Sequence, residues 1–220
     1  MDFWIRSFEV INLLVRRFGY QSYLEIGCAQ NYTFNKIECP KKTGVDPYSG
    51  GTHRMTSDAF FLQNRETFDI VYVDGWHERS QVRRDVLNSL RFLNPGGAIV
   101  MHDCLPPTEL EGTSPEEFER RTGESPNPPF SRSWCGDVWK TAVEIRSWPF
   151  PDFAVINSDY GIGIIRPRPN SLPLDEPDWT VAAHADELTW DDFTGWVKEE
   201  NILRLINNRG ELDSFIGERL

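Results

Sequence analysis

Apolar positions along the 220-residue chain change their spacing several times, and each change marks an element. Trp4, Phe8, Ile11, Val15 and Phe18 recur at i, i+4, i+7, i+11 and i+14, and Gly19 follows. That is one face of a 3.6-residue period, so an amphipathic helix is expected with this face in the core. Tyr23 to Ile26 reads as a strand breaking at Gly27, Lys42 to Asp46 as a second strand stopped by Pro47, and Thr52 to Thr56 as a weaker third. Ser57-Asp58 has the chemistry of a helix N-cap for the segment that follows. Residues 68–74 (FDIVYVD) are nearly all apolar or β-branched, as a strand covered on both faces should be. Val82, Val86, Leu90 and Leu93 then form a helical stripe, with Arg79, Arg83, Arg84 and Asp85 on the water side. Asn94-Pro95-Gly96-Gly97 ends that helix, and residues 98–101 (AIVM) make another buried strand. Strands and helices alternating at these short intervals predict βαβ units and a parallel sheet covered on both faces.

The pattern lapses over residues 105–133, which hold 6 of the 15 prolines. A stretch of that length in a compact domain is a lid, a binding loop or partly disordered. A helix resumes over 134–148, with Cys135, Val138, Ala142 and Ile145 on one face. Strands at 153–156 and 162–165 flank Asn157 to Gly161, whose turn residues predict a hairpin and hence an antiparallel edge to the sheet. A Pro-containing connector from residue 167 leads to an amphipathic helix carrying Phe193, Trp196, Val197, Leu203, Leu205 and Ile206. This divides the chain into one α/β domain over 1–166, with a leading helix (1–19) and a lid (105–133), and an acidic tail over 167–220. The tail helix docks on its own body or on a second subunit, which would make a homo-oligomer.

A chain of this size can bury about 70% of its unfolded surface and needs no staples. No apolar run approaches the roughly 18 residues of a membrane span, and the first ten residues lack a signal-peptide layout, so no membrane partner is expected. Cys28, Cys39, Cys104 and Cys135 lie far apart with no CxxC pair, which fits a cytoplasmic, reducing setting. The net charge is −11, of which residues 171–220, with 12 acidic and 4 basic side chains, contribute −8. Such a balance, with no basic stripe, argues against nucleic acid as a partner.

Ligands of open α/β sheets bind beyond the carboxyl ends of the strands. Those ends carry Glu25-Ile26-Gly27-Cys28-Ala29, Asp46, Asp74-Gly75-Trp76-His77 and His102-Asp103, with Asp58 after the weak third strand. Five acids and two of the four histidines thus converge on one rim. The first loop has only Gly27 where a dinucleotide fingerprint has three glycines, so it makes poor provision for a pyrophosphate. A ligand with ribose hydroxyls, an exocyclic amine and a cationic group suits the rim better.

The segments YLEIGCAQNYTF, GVDP, SDAFF, FDIVYVDGWHERSQVRRDVLNSLRFLNPGGAIVMHD and CGDVWK together resemble class I S-adenosylmethionine-dependent methyltransferases, and within them the "methyltransferase domain 24" type. The likeness spans about residues 20–166. It implies a Rossmann-like, doubly wound, mostly parallel seven-stranded sheet. Carried over by motif, Glu25 and Gly27 border the methionine part of S-adenosylmethionine, Asp46 the ribose hydroxyls, Ser57 and Asp58 the adenine amine, and Asp74 the sulfonium and amino end, with Cys28, Ala29, Gly75 and Trp76 also expected to bind the cofactor. Asp46 before Pro47 could equally be a turn residue, and Asp58 only a cap.

Transfer of a methyl group requires alignment, and from a hydroxyl also a route for its proton. His77 and His102 are the candidate bases with Asp103 beside them, since imidazole titrates near neutral pH. Adjacent strand residues point to opposite faces, so one of His102 and Asp103 should face the ligand. Asp74 and Asp103 could chelate Mg²⁺, although relatives that do so often have two adjacent acids where this chain has His102-Asp103. His53, His184 and Lys140 read as surface residues, and Trp76, Phe130 and Trp134 as walls of an acceptor site. The expected reaction is methylation of a hydroxyl, or an amine, on a small molecule or sugar. A nicotinamide-dependent oxidoreductase and a non-catalytic cofactor-binding scaffold are the rival readings.

Overall fold

The computed structural model describes residues 3–126, 133–174 and 184–217. Its elements run α1 (Ser7–Phe18), β1 (Ser22–Ile26), β2 (Lys41–Val45), α2 (Ser57–Gln63), β3 (Phe68–Val73), α3 (Arg79–Arg91) and β4 (Leu93–Met101), then α4 (Pro115–Thr122), α5 (Val138–Ser147), β5 (Asp152–Ile156), β6 (Ile162–Arg166), β7 (Leu205–Ile206) and α6 (Arg209–Ile216). The seven strands form one sheet in the order β2-β1-β3-β4-β6-β5-β7. Only β6 runs against the others, paired antiparallel with β4 on one side and β5 on the other. The chain leaves β1 toward β2 and then returns to the other side of β1 as β3, so its direction of winding reverses there. Ligand crevices of open sheets open at such a switch point.

Both faces of the sheet are dry, which is why the strands carry near-continuous apolar runs. Leu24, Val71, Val73, Ile99, Phe153 and Ile165 face a core completed by Phe60, Val86, Trp139, Ala142 and Phe193. Tyr23, Ile70, Tyr72, Val100, Ala154 and Ile164 face a second core under α1 and α6. All four cysteines are free and buried. Among the described residues no helix is long and apolar enough to cross a membrane.

Several expected elements are corrected. The buried face of α1 is Ser7, Val10, Ile11, Leu14 and Val15. Trp4 precedes the helix and is 66% exposed, so it is not core. The third strand reduces to a single parallel bridge between Val45 and His53, and the seventh strand comes from the tail instead. The cap of α2 is Thr56, whose hydroxyl accepts from the Ala59 amide, while Ser57 is already helical. Helix α5 begins at Val138, four residues later than its apolar stripe suggested. The irregular segment contains a 3-10 turn (Leu110–Gly112) and α4, the latter capped by Ser114. Asp85 is buried, and Arg79 turns inward to the Glu144 carboxylate at 2.7 Å, so neither faces water. The single tail helix is replaced by a π-helical turn (Asp192–Lys198), the two-residue β7 and α6. Phe130 and Pro177 lie outside the described residues.

The tail is bolted to the sheet through Asp152. Its fully buried carboxylate accepts from Arg168 Nε at 2.9 Å, from Arg204 Nη1 at 3.0 Å and from the Ser171 hydroxyl. Breaking a buried ion pair leaves uncompensated charge and costs about 3–5 kcal/mol; here the arginines keep partial contact with water, which lowers the figure. Asp152→Ala should therefore lose roughly 2–4 kcal/mol in urea denaturation, well beyond an exposed substitution such as Glu38→Ala.

Candidate functional site

The carboxyl ends of β1, β3 and β4 stand side by side because the three strands pair in register, Glu25 opposite Tyr72 and Val73 opposite Met101. Beyond them lies a cavity of about 570 Å³. Its inner wall holds Glu25, Gly27, Cys28, Ala29, Tyr72, Asp74 and His102, and its outer wall Trp4, Arg6, Phe8, Tyr32, Asp159 and Tyr160. That size lies within the range of small-molecule sites.

Gly27 has φ of +87°, and a Cβ there would stand 2.0 Å from the Asp74 carbonyl oxygen. The glycine is needed first to let the β1 loop pass over the end of β3, and its proximity to the cavity follows from that. Two tyrosines lean on the acids two residues beyond them, the same-face spacing of a strand. The Tyr23 hydroxyl donates to Glu25, and the Tyr72 hydroxyl to Asp74 at 3.0 Å. Burial pushes the Glu25 carboxyl up to about 8, despite the hydrogen bond from Tyr23.

Asp74, His77, His102 and Asp103 form a closed network. His77 reaches Asp74 at 3.5 Å and Asp103 at 3.3 Å. His102 Nδ1 lies 3.4 Å from Asp74 and 3.3 Å from Asp103, and its Nε2 lies 3.6 Å from Asp159. The expected alternation between His102 and Asp103 fails because Asp103 has φ of +61°, which turns its side chain back to the imidazoles. Burial opposes charge on Asp74, His77 and His102, yet the partners win. The carboxylates hold His77 up at about 9 and His102 well above the usual imidazole range, while the imidazoles hold Asp74 well below the carboxylate range. The expectation that either histidine titrates near neutral pH is therefore not met in this arrangement. Of the two, His102 lines the cavity. His77 instead stacks on Trp134, with ring centres 5.6 Å apart, and Trp76 meets Trp134 edge to face.

Gly136 makes that cover close. Its φ is +66°, and a Cβ would fall 1.7 Å from the His77 carbonyl oxygen. The segment entering α5 can thus lie directly on the His77 backbone, where Asp137 accepts from the Arg79 amide at 2.7 Å. Of the described residues in 105–133, none lines the cavity.

The remaining expected residues lie apart from it. Asp46 forms an Asx turn, one carboxylate oxygen accepting from the Tyr48 and Ser49 amides and the other from the Ala29 amide. Its turn role is thus realised, and it locks the β1 loop to the β2 loop. Asp58 is half-exposed and pairs loosely with Arg84 at 3.6 Å. The Ser57 hydroxyl accepts from Gln81, which also donates to Asp85. Gly75 and Trp76 flank the network without lining the cavity. Lys140, expected at the surface, is half-buried and donates to the Asp186 carbonyl. Sequence reasoning missed Arg6, Tyr32, Tyr72, Asp159 and Tyr160. For Tyr72 a signal existed, because Tyr-x-Glu at 23–25 and Tyr-x-Asp at 72–74 repeat one same-face pair on adjacent strands.

With this geometry in view, the fold is that of class I methyltransferases. It is shared with a putative caffeoyl-CoA O-methyltransferase from Staphylococcus aureus at 14% identity and a TM-score of 0.50, covering 76% of this chain and 86% of that one. Cofactor-bound Rv0187 from MTB matches at 13% identity and 0.50, covering 76% and 82%. An O-methyltransferase from Bacillus cereus in complex with SAH matches at 12% identity and 0.49, covering 74% and 82%. No curated protein sequence matches the chain. Residues 24–104, from β1 to just past β4, match the family model described as a methyltransferase domain.

Beneath the site, Asp85 is 1% exposed, and its Oδ2 has no hydrogen-bond partner among the described residues. Burial raises its carboxyl from 3.8 to about 7, against hydrogen bonds from Ser57 and Gln81 that lower it. The native state thus binds this proton more tightly than the unfolded chain does. Its stabilising contribution is complete below pH 3.8 and is lost as pH rises to about 7. Asp85→Asn removes that dependence: relative to wild type, the variant should gain roughly 2–3 kcal/mol between pH 5 and pH 8, read from urea midpoints.

Proposed function

We propose that the protein is an S-adenosylmethionine-dependent methyltransferase that modifies a hydroxyl, or an amine, on a small molecule or sugar. The observation that carries this reading is the cavity at the switch point, where Glu25, Gly27, Asp74 and His102 come together on a methyltransferase fold. An acid pair of this kind suits a ligand bearing both an ammonium and a sulfonium, since opposite charges at short range in a partly buried site attract strongly. Glu25 and Asp74 are the residues assigned to that cationic end. Ala29 and Asp46 shape the loop beside it, Ser57 and Asp58 remain assigned to the adenine, and Gly75 and Trp76 to the cofactor without a particular part of it.

When bound, the cofactor supplies an electrophilic methyl group, whose bond to sulfur breaks as the acceptor's lone pair bonds to carbon. The protein's own contribution is alignment, worth up to about 7–11 kcal/mol in well-oriented systems. His102 lines the cavity as a charged side chain that orients the acceptor oxygen. The proton given up by a hydroxyl acceptor leaves to water through the open mouth, because the imidazoles hold Asp74 too acidic to keep it. His77 and Asp103 act as positioning residues, holding Asp74 and His102 from behind.

A metal fits part of this site. Donor atoms of Asp74, His102 and Asp103 lie within 4.8 Å of one another. Two carboxylates and one imidazole suit Mn²⁺ better than Mg²⁺, which prefers oxygen throughout. A cation held there would polarise the acceptor oxygen.

Calorimetric titration of S-adenosylhomocysteine into the full chain tests the reading. Micromolar binding is expected, weakened at least tenfold in Asp74→Asn; the same titration with EDTA or Mn²⁺ reports the metal. Absence of binding in wild type would remove the methyltransferase assignment.

A further inference from the structure

The cavity is electrically polarised along its depth. Its inner end is acidic, with Glu25 and Asp74. Its mouth is basic, although the chain as a whole carries −11. Arg6 stands on the outer wall and its Nη1 donates to the Tyr32 hydroxyl. Lys36 lies behind it, its Nζ 3.4 Å from the centre of the Tyr32 ring and 4.4 Å from that of Phe8. Among the described residues neither cation makes an ion pair. Arg16, by contrast, pairs with Glu38 at 2.8 Å. The two cations also lower the Tyr32 hydroxyl below the usual phenol range, which marks a locally positive field at the mouth.

The mouth is also aromatic and open. Trp4 is 66% exposed, Tyr32 53% and Tyr160 42%, unusual for three large rings bordering one cavity. They are held in place from below. The Asp159 carboxylate accepts from the Ser7 amide at 3.0 Å and from its hydroxyl, and Ser158 exchanges hydrogen bonds with the Ile5 backbone at 2.8 and 3.0 Å. The segment carrying Trp4 and Arg6 is therefore clasped to the β5–β6 turn that carries Tyr160. A mouth with fixed rings, an uncommitted guanidinium and an acidic interior calls for a ligand with a flat apolar body and a negative outer end.

We infer that the acceptor is a hydroxyaryl acid, its ring set against Trp4, Tyr32 and Tyr160, its carboxylate held outward by Arg6, and its methyl-accepting hydroxyl turned inward to Asp74 and His102. The inference rests on the methyltransferase reading and makes the N-terminal segment, rather than residues 105–133, the acceptor selector. In the reaction the C–O bond forms as the methyl–sulfur bond breaks, the phenolic proton passes to water at the open mouth, and the acceptor's carboxylate takes no part.

The test uses matched probes, 3-hydroxybenzoate against 3-hydroxybenzamide and 4-hydroxybenzoate against 4-hydroxybenzamide, titrated into the full chain saturated with S-adenosylhomocysteine. At least one acid should bind tenfold or more tightly than its amide. Arg6→Gln should bring that acid down to the level of the amide while leaving S-adenosylhomocysteine affinity within twofold, which also shows that the variant is folded. Trp4→Ala should weaken both members of the pair alike. Acids binding no better than amides, or not at all, in a protein that binds S-adenosylhomocysteine would overturn the inference and leave the methyltransferase reading standing. A tenfold loss of S-adenosylhomocysteine affinity in Arg6→Gln would also overturn it, by assigning the guanidinium to the cofactor. No S-adenosylhomocysteine binding in wild type would remove both.

Discussion

A parallel sheet must be dry on both faces, and that requirement organises this molecule. Helices α2, α3 and α5 cover one side and α1 with α6 the other, so no face of the sheet remains for a ligand. What stays accessible is the row of strand ends where the winding reverses between β1 and β3. There the side chains no longer alternate between two cores. Polar groups can gather, and Glu25, Asp74, His102 and Asp103 do so.

Gathering acids near a dry core has its own constraint, because an ionised carboxylate is tolerated only with partners. The chain meets it in two ways. At Asp74 the partners are imidazoles, which keep the carboxylate charged and are themselves held charged. At Glu25 and Asp85 burial outweighs the nearby Lys42 and Arg84 and raises both carboxyls toward neutral pH instead. A single small site thus contains acids in both states, separated by whether a histidine faces them.

Much of the scaffold was legible because period and punctuation agree with it. The dry strands at 68–73 and 98–101, the hairpin turn at 157–161 and the acids and histidines at the strand ends all stand where their patterns put them. Errors fall where a tertiary contact overrides a local rule. Asp85 belongs to the polar stripe of α3, yet the approach of α2 closes over it. Asp103 should point away from His102, and one left-handed residue reverses it. Trp4 fits the helical stripe, but the chain is not helical there, so the ring swings to the mouth of the cavity. That mouth was illegible for a simpler reason. Arg6 and Asp159 are distant in sequence, and no spacing rule links an N-terminal arginine to a hairpin turn.

The clasp between the two ends of the α/β body also sets a timetable. Ser7 meets Asp159 across 152 residues, and Ile5 meets Ser158 across 153. During synthesis the β1–β4 portion, with its strand-end acids, leaves the ribosome well before the hairpin exists. The site is therefore born open on one side, and its outer wall is raised only when the β5–β6 turn emerges and captures a segment made at the start. Contacts so distant along the chain form late in folding. A nascent chain thus has its strand-end acids long before it has a finished cavity mouth.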